Sequence, residues 1–346
     1  MAHSTYRLTF EANADVVRTS LSAVRHIGAH LWLGCDETAT LERLTVEGDQ
    51  ANAHCHIQIS DFLELPSPED EEIDVEGITY ANHYLWFVGS HSLKRKTVKP
   101  DQSMAENLKR HRKIEREENR YTLGRIPLVD GQLWPHCPHP KDPGKILTAA
   151  QLKRKKKGNE LTQILKKDRY LGDFIAADIP GKDNGFDIEG LTALGDRLFL
   201  GLRGPVLRGW AVLLELQLKE EEPGLLRLQK LGNSKERYYR HFLNLGGLGI
   251  RDLCVWNDTL LILAGPTMAL DGAIRVFKLP LADLKSEDAF LIPSVLLEVP
   301  YGKGCDRAEG ITLFGADQKE LLIVYDAPDP ERLQENSSVL ADRILL

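Results

Sequence analysis

The strings DVEGI at 74–78, DIEGL at 187–191 and RAEGI at 307–311 repeat an acidic or small residue, glycine and a branched apolar residue at long intervals. Wider windows extend the repeat to five: VRHIGAHLWLGCDET from Val24, VEGITYANHYLWFVGSH from Val75, IEGLTALGDRLFLGLRGP from Ile188, IRDLCVWNDTLLILAGPT from Ile250 and AEGITLFGADQKELLIVYDAP from Ala308. Each reads as a short segment, a turn rich in Gly, Asn or Asp, and an aromatic or branched run, which is the pattern of two hairpin-joined strands. Third strands follow at 121–128, 211–218 and 273–280, and fourth strands at HIQISDFLEL and LIPSVLLEVP. A four-stranded antiparallel unit recurring along one chain predicts an all-β fold, a β-propeller. The count is five blades, the last completed by YRLTFEA from the N-terminus. Six blades is the alternative, because the interval between Asp74 and Asp187 has room for another, and an open β-sandwich is the competing fold. Residues 1–346 are read as a single propeller domain.

The charge is unevenly placed. Residues 93–171 hold 21 Lys+Arg against 9 Asp+Glu in a chain whose net charge is -7. Two insertions with helical composition, 93–120 and 145–172, carry this excess around 100–170, and Lys153 to Lys157 form an unbroken run of cations. Their expected partner is an acidic protein or nucleic acid, although no aromatic residues interleave with the cations to stack on a single strand. The N-terminus has no basic start with an apolar core, and no apolar run reaches the length of a membrane span. Five cysteines, odd in number and without a CxxC pair, fit a reduced compartment. The expectation is a cytoplasmic protein with no membrane contact.

In a propeller the repeated motif begins the innermost strand, where neighbouring blades crowd and glycine is favoured. The residue before the glycine position is Arg25, Glu76, Glu189, Arg251 or Glu309, and these five are expected to ring one mouth of the central channel. The second strand of each hairpin returns to the same face, which brings Asp36, Glu37, His91, Arg203, Arg208, Thr267, Asp271 and Asp326 toward the ring. The loops PGKDNGFD and YGKGCDR add Lys182, Asp187, Lys303 and Asp306. Arginines and lysines there suit phosphate or carboxylate, and the carboxylates suit a hard cation such as calcium. If the protein is an enzyme, Glu189, Glu309 or His91 is the expected general acid or base. His54 and His56 in HCH, and His136, Cys137 and His139 in PHCPHP, are weaker metal candidates without a second half at zinc-like spacing. No nucleophile elbow or phosphate-binding glycine loop is present.

At IPGKDNGFDIEGL, GLRGPVLRGWAVLLEL, FLNLGGLGIRDL and ILAGPT the chain resembles a bacterial family known as domain of unknown function 3616. The resemblance runs from about Val24 to Tyr325 and implies a propeller without implying a reaction. The Glu-Gly-apolar strand start is also similar to that of phytase-like and esterase-like propeller hydrolases, which use carboxylates and calcium on one face; only Glu76, Glu189 and Glu309 match that pattern. The sequence therefore predicts a propeller that binds a polar, anionic small ligand at the channel mouth, with hydrolysis of phosphoester or ester bonds as the reaction class if it is catalytic. A non-catalytic scaffold using the basic insertion is the alternative.

Overall fold

The computed structural model describes residues 3–68, 71–232, 235–285, 287–315 and 317–346. Its strands fall into antiparallel meanders that follow one another along the chain. The first uses Leu21–Ile27, His30–Cys35, Thr40–Glu47 and Gln50–Gln58. The second uses Val75–Ala81, Tyr84–Gly89, Leu123–Val129 and Ala150–Leu152. The third uses Asp187–Leu194, Arg197–Gly204, Trp210–Glu222 and Tyr238–Asn244. The fourth uses Gly249–Trp256, Thr259–Gly265, Ile274–Pro280 and Ser294–Val299. The fifth uses Arg307–Phe314, Glu320–Asp326 and Ser338–Leu345, and takes His3–Thr9 from the N-terminus as its outer strand. That strand also pairs in parallel with the outer strand of the first meander, through Arg7↔Gln50 and Leu8↔Ala51, and so joins the two ends of the ring.

Because side chains alternate across a strand, each blade buries both faces and each face meets a different neighbour. Trp32 packs with Val75, Leu85 and Phe87 of the second blade. Leu31 and Leu33, on the other face, pack with Phe314, Leu322 and Val324 of the fifth. Apolar layers of the same kind lie between the second and third blades around Val88 and Leu191, between the third and fourth around Leu213 and Ile262, and between the fourth and fifth around Leu263 and Ile323. The innermost strands pack one against the next in a closed cycle, which makes the molecule a β-propeller.

The crowding explains the repeated glycine. A Cβ on Gly77 would stand 2.6 Å from Leu191 Cβ of the next blade, one on Gly190 would stand 2.9 Å from Leu253 Cγ, and one on Gly310 would stand 3.0 Å from Val24 N. The fourth blade places Asp252 at this level. Its carboxylate accepts from Leu253 N at 2.7 Å and from Ile311 N at 2.8 Å.

Arg25 does not join the ring at the mouth. Its position is deeper, level with Thr79, Thr192, Cys254 and Thr312, and its guanidinium lies across the shaft. It donates to the carbonyl oxygens of Ile78 (2.8 Å), Leu191 (3.4 Å), Leu253 (2.9 Å) and Ile311 (3.3 Å), one from each of the other blades. Asp252 stands 3.5 Å away as its counter-charge. Counting five residues back from the end of each innermost strand gives Ser22, Glu76, Glu189, Arg251 and Glu309. Ser22 is thus the first blade's ring residue, and its hydroxyl donates to Val75 O.

The insertions are less helical than expected. In the first, Lys94–Arg95 pairs with Ile114–Glu115 around the helix Met104–His111, whose start is closed by a Ser103–Glu106 capping box. In the second, the only helical turns among the described residues are Glu160–Leu165 and Gly172–Ala176. Residues 142–152 are strands because Leu147, Ala150 and Leu152 are buried in the layer between blades. The Lys153 to Lys157 run forms a tight hairpin, Arg154–Lys155 against Gly158–Asn159, rather than a helix face. Among the described residues no helix is long and apolar enough to cross a membrane.

Gly77→Ala is expected to destabilise the fold by about 1–3 kcal/mol through overpacking. Gly144→Ala, where the nearest atom to a new Cβ is 3.6 Å away, should stay within about 0.5 kcal/mol of the parent. Urea denaturation of both variants checks this; equal effects would contradict the inter-blade contact.

Candidate functional site

At the ring, acids and bases interlock. Arg251 Nη1 contacts Glu309 Oε1 at 2.6 Å and Glu189 Oε2 at 3.1 Å. Arg203 Nη1 contacts Glu189 Oε1 at 2.6 Å and lies 3.9 Å from Asp187 Oδ2. One further donor of each guanidinium is directed to backbone, Arg203 Nε to Thr267 O and Arg251 Nη2 to Pro266 O, both at 2.9 Å. Glu189 is fixed between two arginines and lines neither of the mouth's cavities, whereas Glu309, another of the three expected acid–base candidates, lines one of them.

Around this layer the mouth opens into two cavities that meet at Lys182, Arg203 and Ala269. One, of ≈ 270 Å³, is lined by Arg251, Asp271, Tyr301, Asp306 and Glu309 among others. The other, of ≈ 340 Å³, is lined by Asp36, Glu37, Asp74, Glu76, Asp187 and Arg120, with Lys94 to Thr97 and His111 of the first insertion on its outer side. The loop carrying Lys182 is strapped between the two. Gly181 N donates to Leu93 O at 3.0 Å, Arg95 Nε donates to Asp183 at 2.7 Å, and Asp183 bridges to Met268 of the fourth blade. A Cβ on Gly181 would collide with the Asp187 carboxylate, so glycine is what allows the loop to bring Lys182 over the mouth.

Burial favours the protonated form of several of these carboxyl groups. Burial, reinforced by Asp74 and Asp326, pushes Asp36 up to about 9. Burial and Glu189 push Asp187 up to about 8, with Arg203 opposing. Burial raises Glu309 to about 7 even though Arg251 pulls it down. Glu76, buried among Asp74, Glu189 and Glu309, is held well above the usual carboxylate range. Asp36 Oδ1 and Asp187 Oδ1 are buried without a hydrogen-bond partner. Asp74 is matched by Arg120 at 2.6 Å.

Lys182 differs from every other cation at the mouth. It is reached by solvent and lines both cavities, and it has no hydrogen bond or ion pair among the described residues. Crowding by protein works against its charge, and Glu309, Asp36 and Asp74 outweigh this, so its pKa is raised.

Other expected site residues lie elsewhere. His91 is buried beneath the insertion. Its Nδ1 donates to Gly89 O at 2.7 Å, its Nε2 accepts from Asn159 Nδ2 at 2.6 Å, and burial lowers its pKa to about 4. Both ring nitrogens are thereby engaged in holding the chain together. Arg208 sits exposed in a tight turn closed by Leu207 and Trp210, with positive φ at Arg208 and Gly209, and lines neither cavity. Lys303 pairs with Asp329 at 2.5 Å, and Asp306, at the cavity edge, pairs with Arg332 at 2.5 Å. Asp326 faces Arg307 at 3.3 Å. His54 and His56 both contact Glu42 on an outer strand. No group of three or more His, Cys, Asp or Glu among the described residues stands close enough to hold a metal ion. Reasoning from sequence missed Asp74, although DVEGI and DIEGL place an aspartate identically.

A family model described as protein of unknown function (DUF3616) matches residues 20–342. No curated protein matches the sequence. Among solved structures, glutaminyl cyclase of Myxococcus xanthus is similar at 10% identity and a TM-score of 0.43, covering 99% of this chain and 97% of its own. The aldose sugar dehydrogenase of Streptomyces coelicolor, bound to PQQ, is similar at 11% identity and a TM-score of 0.39, covering 100% and 99%. Likenesses at this level bring no reaction with them.

The contribution of the buried carboxyls at the mouth to stability is expected to fall as pH rises from about 4 to about 9. In that window the folded protein keeps protons on Asp36, Asp187 and Glu309 that the unfolded chain releases near the ordinary carboxylate pKa, and the state binding more protons loses ground as pH increases. Asp36→Asn should raise the melting temperature at about pH 8 and leave it nearly unchanged at about pH 4, as melting curves at both values would reveal; an equal shift at both would contradict the retained proton.

Proposed function

Since the chain belongs to this family of proteins of unknown function, we propose its function from the geometry of the mouth: it binds a small polar ligand whose anionic group is held at Lys182. The observation that carries the reading is an accessible ammonium without a fixed partner, standing where two cavities of ≈ 270 and ≈ 340 Å³ join. Together they have the size of a small-molecule site. Arg203 and Arg251 are committed to Glu189 and Glu309, so they contribute field and rigidity more than new contacts. The protonated carboxyls of Asp36 and Asp187 are hydrogen-bond donors, suited to the oxygens of an anion or to hydroxyl groups beside it.

The chemistry supported best is hydrolysis of a phosphoester or carboxylic ester. Glu309 lines the cavity beside Lys182, and a carboxyl with a pKa of about 7 can give and take a proton near neutral pH. Lys182 would steady the charge that develops on the departing or attacked oxygen.

Calorimetry with inorganic phosphate and turnover of p-nitrophenyl phosphate test this. Lys182→Ala should weaken phosphate binding about tenfold or more while the protein stays folded, since one charge-assisted contact is worth on that order. Glu309→Gln should keep phosphate binding and slow turnover by about 10²–10⁴-fold. Unchanged binding in Lys182→Ala would overturn the ligand site, and unchanged turnover in Glu309→Gln would overturn the acid–base role.

A further inference from the structure

The face opposite the mouth carries a groove of ≈ 780 Å³ between the second and third blades. Its ends are the first turns of these blades, tied by Asn82 Nδ2 donating to Asp196 at 2.9 Å. The hairpin His136–His139 with Asp142–Thr148 forms one wall. That hairpin holds the PHCPHP motif, whose His139 accepts from Lys141 N at 3.1 Å and packs edge-on against His83 with ring centroids 4.8 Å apart.

The groove's charge is unusual for an acidic chain. Lys141, Lys145, Lys219 and Lys230 line it, all four exposed, and none has a side-chain hydrogen bond or an ion pair among the described residues. The two acids in the lining are already engaged, Asp196 by Asn82 and Glu220 by Arg125 at 2.5 Å. Four cations facing one hollow repel each other, and an anion seated between them reverses the sign of that interaction. Within the lining, Arg125 is held 4.0 Å from the Tyr84 ring centroid and 5.5 Å from that of Trp86, so the small exposed part of its guanidinium is fixed in orientation, and Ile146 is exposed.

We propose that this groove is a second binding site, for a small organic polyphosphate whose phosphates span Lys141, Lys145, Lys219 and Lys230 and whose planar group lies over Arg125. The volume of the groove and the placement of the lysines around a hollow favour a small molecule over a strand tracking across the surface.

The test is calorimetric titration with ATP as the probe, on the full chain carrying Lys182→Ala so that the mouth is disabled. ATP is expected to bind and adenosine is not. Lys145→Gln together with Lys230→Gln should weaken ATP binding about tenfold or more, with the melting temperature unchanged, because neither side chain has a partner among the described residues. Lys141→Gln with Lys219→Gln should do the same by a separate route. The proposal is overturned if ATP does not bind, if both pairs of variants bind it as tightly as their parent, or if a single-stranded oligonucleotide binds about a hundredfold tighter than ATP, which would make the groove a nucleic-acid surface.

Discussion

One guanidinium holds the axis of this molecule. The innermost strand of each propeller blade is a sheet edge, with backbone carbonyls directed at the shaft where no further strand can pair with them. Buried carbonyls without donors are costly. Arg25 places a flat group with five N–H donors at that point and meets carbonyls from the four blades other than its own. Asp252 supplies the counter-charge and occupies the level where the first blade has Ala23 and the other three have glycine. The fold thus exchanges one small residue for a carboxylate, and that carboxylate makes a buried arginine tolerable.

From this closure follows the character of the mouth. Strands that approach closely enough to exclude a Cβ bring Glu76, Glu189, Arg251 and Glu309 together, along with carboxylates from the returning strands. The acids outnumber the bases there, and burial prevents all of them from ionising at once. Glu189 is met by two arginines and Asp74 by Arg120, while burial raises the pKa of Asp36, Glu76, Asp187 and Glu309 toward the protonated form. What remains is a rigid basin in which Lys182 is the lining lysine without a partner among the described residues. The opposite face shows the reverse arrangement, in which the carboxylates are spent and the lysines are left over. The two faces therefore suit different ligands, and Arg25 closes the shaft between them.

Much of this was legible in the sequence. Glu-Gly-apolar strings separated from aromatic runs by Gly- or Asn-rich turns gave the hairpins, and YRLTFEA gave the strand that closes the ring. The ring residues of four blades followed directly. The first blade was misplaced by three residues because Arg25 looks like Arg251, whereas distance from the following turn is what sets depth, and it selects Ser22. His91 was drawn to the mouth by strand direction, but a positive φ of 57° turns it away under the insertion. Residues 145–152 looked helical because the neighbouring lysines dominated the composition and masked the alternation of Ala150, Gln151 and Leu152. Nor could sequence separate Lys182 from Lys303. Both sit in Gly-Lys loops, and only the fold assigns Asp329 to one of them.

Hydrogen–deuterium exchange on Arg25→Met tests the central claim, that one side chain joins all the blades. Loss of protection should appear together in Val75–Ala81, Asp187–Leu194, Gly249–Trp256 and Arg307–Phe314, as well as in Leu21–Ile27. A loss confined to Leu21–Ile27 would contradict it and would mean that the blades are held to one another without the arginine.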